Sequence, residues 1–413
     1  MRILLIHQYY MKDMNVPGGA RWNEMTRVWV QKGHEVSVIA SMYDIATGRK
    51  LPCYKGKFFQ HERPCENLEV IRVHTSEQYN KNFIWRTWAY VTFFFFGFLG
   101  ALLFARGKYD VVLASSPPLT VGPLGILISA IKRCRFVFEA RDLWPESAID
   151  TGAVSNPLLI KLMFFMERYS YQRATAINVL TPAFKERLIN NKGVPEDKVL
   201  LIPNAADFDL IEPGPKDQEI VKKHGWDNKF VCLYIGAHGR ANCLWQLIET
   251  AKILKGDPRY MIACVGGGME RDELVAKVKA EGLANIQFIP PVSKKEVRYY
   301  LNTCDVSVIV LKKVDTFKTV YPNKMFDSMS AAKPIIIAID GVARKLVVDD
   351  AKCGVYAEPE NAQDIADKIQ FYFNSSEIAE QHGQNGYNFA RKYFDRHGLA
   401  DKYITLIQEK IKK

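Results

Sequence analysis

The chain has 413 residues, of which 48% are hydrophobic and 24% charged. These are the proportions of a folded globular protein with about two domains, and they exclude a disordered or fibrous chain. Lys and Arg number 56 against 45 Asp and Glu, a net charge of +11, so a negatively charged partner is expected: nucleic acid, an anionic membrane surface or a phosphorylated substrate. The basic residues are dispersed and no recognised RNA- or DNA-binding module is present, so nucleic acid is set aside.

In chain order, the opening run MRILLIHQYY is too short an apolar stretch for a signal peptide and reads as the first strand of a sheet. RILLIHQ, EVSVIAS, VIRVHT, DVVLASS, FVFEAR, AINVLT and VLLIPN follow as strands of the first half. In the second half FVCLYIGA, MIACVGG, IQFIP, VSVIVL and PIIIAI repeat the pattern. Most are short apolar runs, as parallel strands covered on both faces require. Helical periodicity lies between them, as in LWQLIETAKIL and RDELVAKVKAEG. The pattern predicts an α/β protein of two Rossmann-like, doubly wound domains. A linker is expected around Pro213, Gly214 and Pro215, and the expected division is 1–206, 207–386 and a C-terminal helix from 387 to 413. The eight cysteines (53, 65, 134, 232, 243, 264, 304 and 353) form no CxxC pair, which reads as reduced thiols of a cytoplasmic protein.

One segment departs from the pattern. Residues 87–105, TWAYVTFFFFGFLGALLFA, carry no charge and come close to the roughly 20 residues that span a bilayer. Strands on either side argue against a crossing, because it would split one sheet. Two readings remain: a core helix of the first domain, or a helix that enters one leaflet. Trp85, Trp88 and Tyr90, flanked by Arg86, Arg106 and Lys108, fit the second.

The candidate site residues lie where strands end. Pro17-Gly18-Gly19-Ala20-Arg21 follows the first strand; Gly18 and Gly19 suit close backbone approach to a phosphate or sugar, or form a plain turn. This is not GxGxxG, and no acidic residue closes the second strand, which disfavours a nicotinamide dehydrogenase. Glu139, Arg141 and Asp142 end a strand in EARDLWPES. They are expected to hold an acceptor, or else to pair internally, since such charges are costly when buried alone. In the second half, Gly236, His238, Gly239 and Arg240 (YIGAHGRAN) form a glycine turn suited to a diphosphate, and Gly267 and Val292 end the next two strands. Tyr321-Pro322-Asn323-Lys324-Met325-Phe326-Asp327 opens a helix. A helix N-terminus favours anions, so Lys324 can neutralise a phosphate and Asp327, one turn on, can accept bonds from two ribose hydroxyls. An ordinary αβ unit with a solvated Lys and Asp is the alternative. Asp207-Phe208-Asp209 resembles a metal-binding DxD but falls near the linker, and no His/Cys cluster has zinc spacing. Neither GxSxG nor a P-loop is present.

Together, and in this order, PGGARWNEM, EARDLWPES, LIPNAADFD, YIGAHGRAN, VGGGMERDEL and YPNKMFDSMSAAKP resemble the retaining GT-B glycosyltransferases of family 4 over nearly the whole chain. The likeness is greatest to the bacterial O-antigen and capsule branch that includes N-acetylfucosaminyl transferases. The resemblance implies two facing domains with a cleft, a nucleotide bound mainly by the second, no required metal or cofactor, and a C-terminal helix returning to the first. Its carboxylate pair is Glu, seven residues, Glu. Asp327 takes the second place, which binds the ribose, but Thr319 occupies the first, so the backbone of Val320 and Tyr321 is the expected substitute at the donor sugar. Arg240 and Lys324 are the expected diphosphate partners and, with Asp142, the catalytic residues. The implied activity is retaining transfer (hexosyl- or hexosaminyltransferase class) of a hexosamine-type sugar, with N-acetyl-L-fucosamine a candidate. The donor is a UDP-sugar and the acceptor a polyprenyl-diphosphate-linked sugar at the inner face of the cytoplasmic membrane. A sugar-nucleotide 2-epimerase and an inactive membrane-bound scaffold are the alternatives.

Overall fold

The computed structural model describes residues 1–12, 15, 20–44, 48–77 and 83–412. They divide into two compact units. One takes the described residues up to Pro203 except Asn15, with the C-terminal helix from His397 onward; the other takes Asn15 and Asn204–Arg396. The chain thus passes between units at Pro203/Asn204. The Pro213–Pro215 stretch belongs to the second unit, where Asn302 Nδ2 donates to the carbonyl of Glu212 at 3.2 Å. Residue 387 lies inside the helix Ser376–Tyr393 of that same unit.

In the first unit eight strands form one sheet: β1 (Arg2–Ile6), β2 (Glu35–Ser41), β3 (Phe59–Cys65), β4 (Leu68–Val73), β5 (Val111–Ser116), β6 (Arg135–Ala140), β7 (Ala176–Val179) and β8 (Val199–Leu201). Their order is β8-β7-β6-β5-β1-β2-β4-β3, parallel except for β3. The edge strand β3 escaped sequence reading because FQHERPC is polar and contains Pro64; an edge needs neither an apolar run nor every N–H. In the second unit β9 (Phe230–Ile235), β10 (Tyr260–Val265), β11 (Ile286–Ile289), β12 (Val306–Val310), β13 (Ile335–Ala338) and β14 (Gly354–Tyr356) run parallel in the order β11-β10-β9-β12-β13-β14. The central strands are continuously buried, which is why they read as apolar runs.

The helices that matter below are α1 (Arg21–Gln31), α2 (Phe83–Leu103), α3 (Val121–Lys132), α4 (Pro157–Arg173), α5 (Asn323–Ser330) and α6 (Arg396–Lys412). From β4 to β5, β6 and β7 the chain moves one way across the sheet. Right-handed crossovers therefore lay α2, α3 and α4 on one face. On the opposite face α1 meets α6: Trp29 Nε1 donates to the carbonyl of Ala400 at 3.0 Å, and Tyr403 packs against Trp22 and Trp29.

The apolar helix α2 is amphipathic in burial, though not in composition. Gly97 and Gly100 let it approach closely: a Cβ at Gly97 would stand 3.0 Å from Leu124, and one at Gly100 would stand 2.8 Å from Val73. Phe93 is fully buried, and Phe94 and Phe96 pack against the same core. Ile84 (75% exposed), Trp88, Val91 and Phe95 (55%) form a stripe on the outer side. The inner face is thus part of the core, as the first reading has it, and the outer face is apolar and exposed. Its neighbours β4 and β5 belong to one sheet, so a crossing would divide that sheet.

Candidate active site

In a doubly wound sheet, ligands sit beyond the C-terminal ends of the strands where the order reverses. In the second unit that point lies between β9 and β12. Four loops and the start of α5 converge there: 236–242 after β9, 266–268 after β10, 290–293 after β11 and 311–322 after β12.

The glycines have a specific reason. Gly266 and Gly268 have φ of +148° and +153°, and their Cβ atoms would lie 1.9 Å from the Gly236 carbonyl oxygen and 2.4 Å from that of His238. They permit two loops to press together. His238 N–H donates to the carbonyl of Gly267 at 2.8 Å. The His238 ring is buried between Tyr234 and Phe288, and neither ring nitrogen has a hydrogen-bond partner among the described residues. Burial, with help from Arg271 and Lys324, pulls its pKa down to about 4, so it is neutral. Gly267 faces Pro291, whereas Gly239 borders open space and Arg240 beside it is exposed. Val292 is half-buried.

Gly236 makes room for Lys324, whose Nζ would stand 2.9 Å from a Cβ there. Lys324 occupies the second position of α5. Its ammonium donates to Tyr234 Oη at 2.8 Å and Asn242 Oδ1 at 3.2 Å, and it lies 4.0 Å from the centre of the Tyr234 ring. Tyr234 donates its own proton to the Ala237 carbonyl at 2.7 Å, which leaves its oxygen free to accept. Burial holds that phenol neutral by raising its pKa well above the usual value. Among the described residues no carboxylate pairs with Lys324, and burial draws its pKa down to about 7. This is a cation withdrawn from water and held by neutral groups at a helix N-terminus, where an anion is favoured.

One turn on, Asp327 accepts from Lys294 Nζ through both oxygens, at 2.8 and 3.0 Å. Sequence reading missed Lys294; its signal was a place at the end of the PPVSKK loop after β11. Lys294 thus fixes the orientation of this carboxylate. Tyr234 and Asn242 were inside a quoted motif but given no role; a tyrosine in a buried strand needs a partner for its hydroxyl. Thr319 Oγ1 donates to the Thr316 carbonyl at 2.8 Å, and Val320 is half-buried beside it. The Tyr321 carbonyl accepts from Asn204 Nδ2 at 3.2 Å, and Asn323 opens α5. Met325 needs a correction. It is fully buried with Phe326 and Met329, because the same helix must cover the sheet, so its side chain cannot meet a ligand.

The EARD segment also departs from expectation. Glu139 is fully buried. It accepts from Arg21 (Nε 3.2 Å, Nη2 2.9 Å), Ser115 Oγ (3.1 Å) and Asn178 Nδ2 (3.0 Å). Burial alone would raise its pKa, but Arg21, with Arg141 and Ser115, holds it below the usual carboxylate range. All its acceptor capacity is used within the first unit, so it is withdrawn as an acceptor-binding residue. Arg141 is half-buried with Nε unpartnered, and Asp142 is exposed. Gly18 and Gly19 lie outside the described residues. Asp207 is buried and accepts the backbone N–H of Asp209 at 3.2 Å, a turn contact. Among the described residues no group of three or more His, Cys, Asp or Glu converges as metal ligands.

Comparison with known proteins gives these loops a setting. The model of the family described as "Glycosyl transferase 4-like domain" matches residues 18–205, and that of "Glycosyl transferases group 1" matches residues 216–389. The chain is 22% identical to the glycosyl transferase WcaI of Escherichia coli K12, assigned to colanic acid biosynthesis, over 73% of this chain and 75% of that protein. It is 20% identical to N,N'-diacetylbacillosaminyl-diphospho-undecaprenol alpha-1,3-N-acetylgalactosaminyltransferase of Campylobacter jejuni, over 54% of this chain and 58% of that one. Among solved structures, sucrose-phosphate synthase from Thermosynechococcus elongatus matches with a TM-score of 0.75 at 15% identity, covering 99% and 98% of the two chains. Anabaena HepE in complex with UDP-glucose matches with a TM-score of 0.71 at 16% identity, covering 99% and 100%. The matches to solved structures carry the fold, and the family models carry the activity of each half. The chain is a family-4-like glycosyltransferase of GT-B fold, related to bacterial polysaccharide-biosynthesis enzymes.

Proposed function

We propose that this enzyme moves a hexosamine-type sugar, N-acetyl-L-fucosamine being a candidate, from a UDP-sugar to a polyprenyl-diphosphate-linked sugar, with retention at the anomeric carbon. The product belongs to a bacterial surface polysaccharide of the O-antigen or capsule kind. The observation that carries the donor half is Lys324, an ammonium held by Tyr234 and Asn242 at a helix start without a carboxylate partner among the described residues. A diphosphate supplies the missing charge. Arg240 adds a second cation, Asp327 accepts from the ribose hydroxyls, and the backbone of Val320, Tyr321 and Asn323 takes the donor sugar. Gly267 and Val292 flank the base.

The anomeric C–O bond to the diphosphate breaks while the acceptor oxygen bonds to the same face. The leaving phosphate oxygen takes the acceptor proton. Lys324, Arg240 and the N-terminus of α5 stabilise the charge that grows on that phosphate, an effect larger in the transition state than in the ground state. Asp142 orients the acceptor hydroxyl and Arg141 holds an acceptor phosphate. The lipid carrier is supported by the name of the Campylobacter relative, itself a diphospho-undecaprenol-directed enzyme, and the UDP donor by the HepE complex. The outer stripe of α2, with Trp88 and nearby cations, supports work at the inner face of the cytoplasmic membrane.

A melting-temperature screen against UDP-, GDP- and ADP-sugars tests the donor reading, because a ligand of the native state raises its stability. UDP-N-acetylhexosamines are expected to give the largest shift. A larger shift with a GDP- or ADP-sugar would reject the UDP assignment. Transfer to a polyprenyl-diphosphate-linked sugar with inversion would reject the retaining mechanism.

A further inference from the structure

We infer that α4, which sequence reading left unassigned, is a second membrane-docking element, and that the outer surface of the α2–α3–α4 layer rests as one face on an anionic bilayer. This rests on the membrane reading of α2 and extends it to a surface that α2 alone does not make.

The first observation is a repeat of the same burial pattern on another helix. Leu158 (77% exposed), Leu162 and Phe165 (63%) follow one another at spacings of four and three residues, one stripe of a helix. An ordinary surface helix turns its polar residues outward, whereas this one turns leucine and phenylalanine outward. The stripe continues upward in rings: Phe165 stacks on Tyr169 at 6.0 Å, and Arg173 lies 5.4 Å from the centre of Tyr169. Such a column of apolar, aromatic and cationic groups grades from hydrocarbon to headgroup.

The second observation is charge. The exposed ions of α4 are Lys161, Arg168 and Arg173; its acid, Glu167, is buried and bound by Lys192 at 2.8 Å through both oxygens. From residue 83 to 138, the stretch holding α2 and α3, there are six Lys and Arg and one acid, Asp110. Asp110 accepts the Arg2 backbone N–H at 2.7 Å. A protein partner of ordinary composition would be met by mixed charge. Apolar stripes bordered by cations match anionic headgroups over hydrocarbon.

The third observation is continuity. Right-handed crossovers put the three helices on one side of one sheet, and α3 lies between the other two. Gly97 of α2 faces Leu124 of α3, and Gly122 of α3 faces Ser170 of α4. The outer side of α3 is itself apolar, with Leu127 and Ile131 exposed. Exposed apolar residues are thus found on all three helices.

The test is flotation of the full chain with vesicles of equimolar phosphatidylglycerol and phosphatidylcholine, against pure phosphatidylcholine. Wild type is expected to float with the anionic vesicles and to be released by salt. The triple variant Leu158→Ser, Leu162→Ser, Phe165→Ser alters exposed side chains only. It should keep its melting temperature and its UDP-sugar shift while its vesicle partitioning falls by at least about tenfold. The pair Trp88→Ser, Phe95→Ser on α2 should do the same. If the α2 pair loses binding and the α4 triple does not, the extended face is wrong while the α2 reading stands. If wild type fails to float, both fail, and the UDP-sugar shift still judges the donor site separately. If light scattering shows a dimer that the α4 triple converts to monomer, the face is covered by a second copy and the membrane proposal is overturned.

Discussion

At the end of β6, Glu139 meets Arg21, Ser115 and Asn178, so that a buried anion has a cation and two further donors. At the start of α5, Lys324 is also withdrawn from water but meets the neutral oxygens of Tyr234 and Asn242. The sequence presents both as charged residues at strand-end loops of a Rossmann-like unit. The first is complete without a ligand and serves the scaffold. The second is left with a charge that no carboxylate among the described residues neutralises, and this is what the proposed diphosphate would supply. Charge balance within the folded unit, rather than position on the sheet, separates the two.

The sharpest way to break this contrast is to damage the complete cluster. Glu139→Gln or Arg21→Met removes one partner of a buried pair and should cost about 3–5 kcal/mol of stability, read by denaturant titration. A variant that unfolds normally but no longer uses acceptor would return Glu139 to the active site.

Lys324→Met should behave in the opposite way. Removing a desolvated, unneutralised cation is expected to leave stability equal or slightly higher. UDP-sugar affinity should fall by about 1.5–3 kcal/mol, the worth of hydrogen bonds to a charged group, with turnover falling as well. Loss of stability with unchanged affinity would make Lys324 a structural residue.

The same lysine sets a pH dependence. Its pKa of about 7 is below that of a free lysine. Above pH 7 the folded protein therefore binds fewer protons here than the unfolded chain, and the cost of burying this charge fades as pH rises. A bound diphosphate favours the ammonium and raises the pKa. Binding then takes up a proton above pH 7, so affinity should be flat below 7 and fall by up to about tenfold per pH unit above it. A UDP-sugar is the right probe because its diphosphate does not titrate in this range. The slope should vanish in Lys324→Met; a slope that persists there belongs to another group.

A smaller effect is expected from the Lys294–Asp327 pair. Asp327→Asn and Lys294→Met should each weaken UDP-sugar binding, and a double-mutant cycle should give a coupling of about 1 kcal/mol. Additive losses would mean that Lys294 does not position the carboxylate. No effect at all is expected from EDTA on transfer activity. Loss of activity restored by magnesium or manganese would bring Asp207 and Asp209 back into consideration.

The sequence by itself determined the architecture, because strands buried on both faces must be apolar throughout and helices between them must keep their period. That is why twelve strands could be read from short runs such as VSVIVL and PIIIAI, and why polar β3 and the short, mostly half-buried β14 could not. It also placed the candidate residues at strand ends, since glycines and charges there have few other uses. What those residues do was decided by tertiary structure. Partners distant in the chain set it: Arg21 lies 118 residues from Glu139, Tyr234 lies 90 from Lys324 and Lys294 lies 33 from Asp327. The glycines after β9 and β10 were legible as glycines, but folding showed that two loops press on each other there. The phenylalanines of α2 were legible as apolar, but packing against β4 and α3 chose which of them face the core. Composition is local, whereas charge balance and exposure are sums over neighbours that the fold brings together.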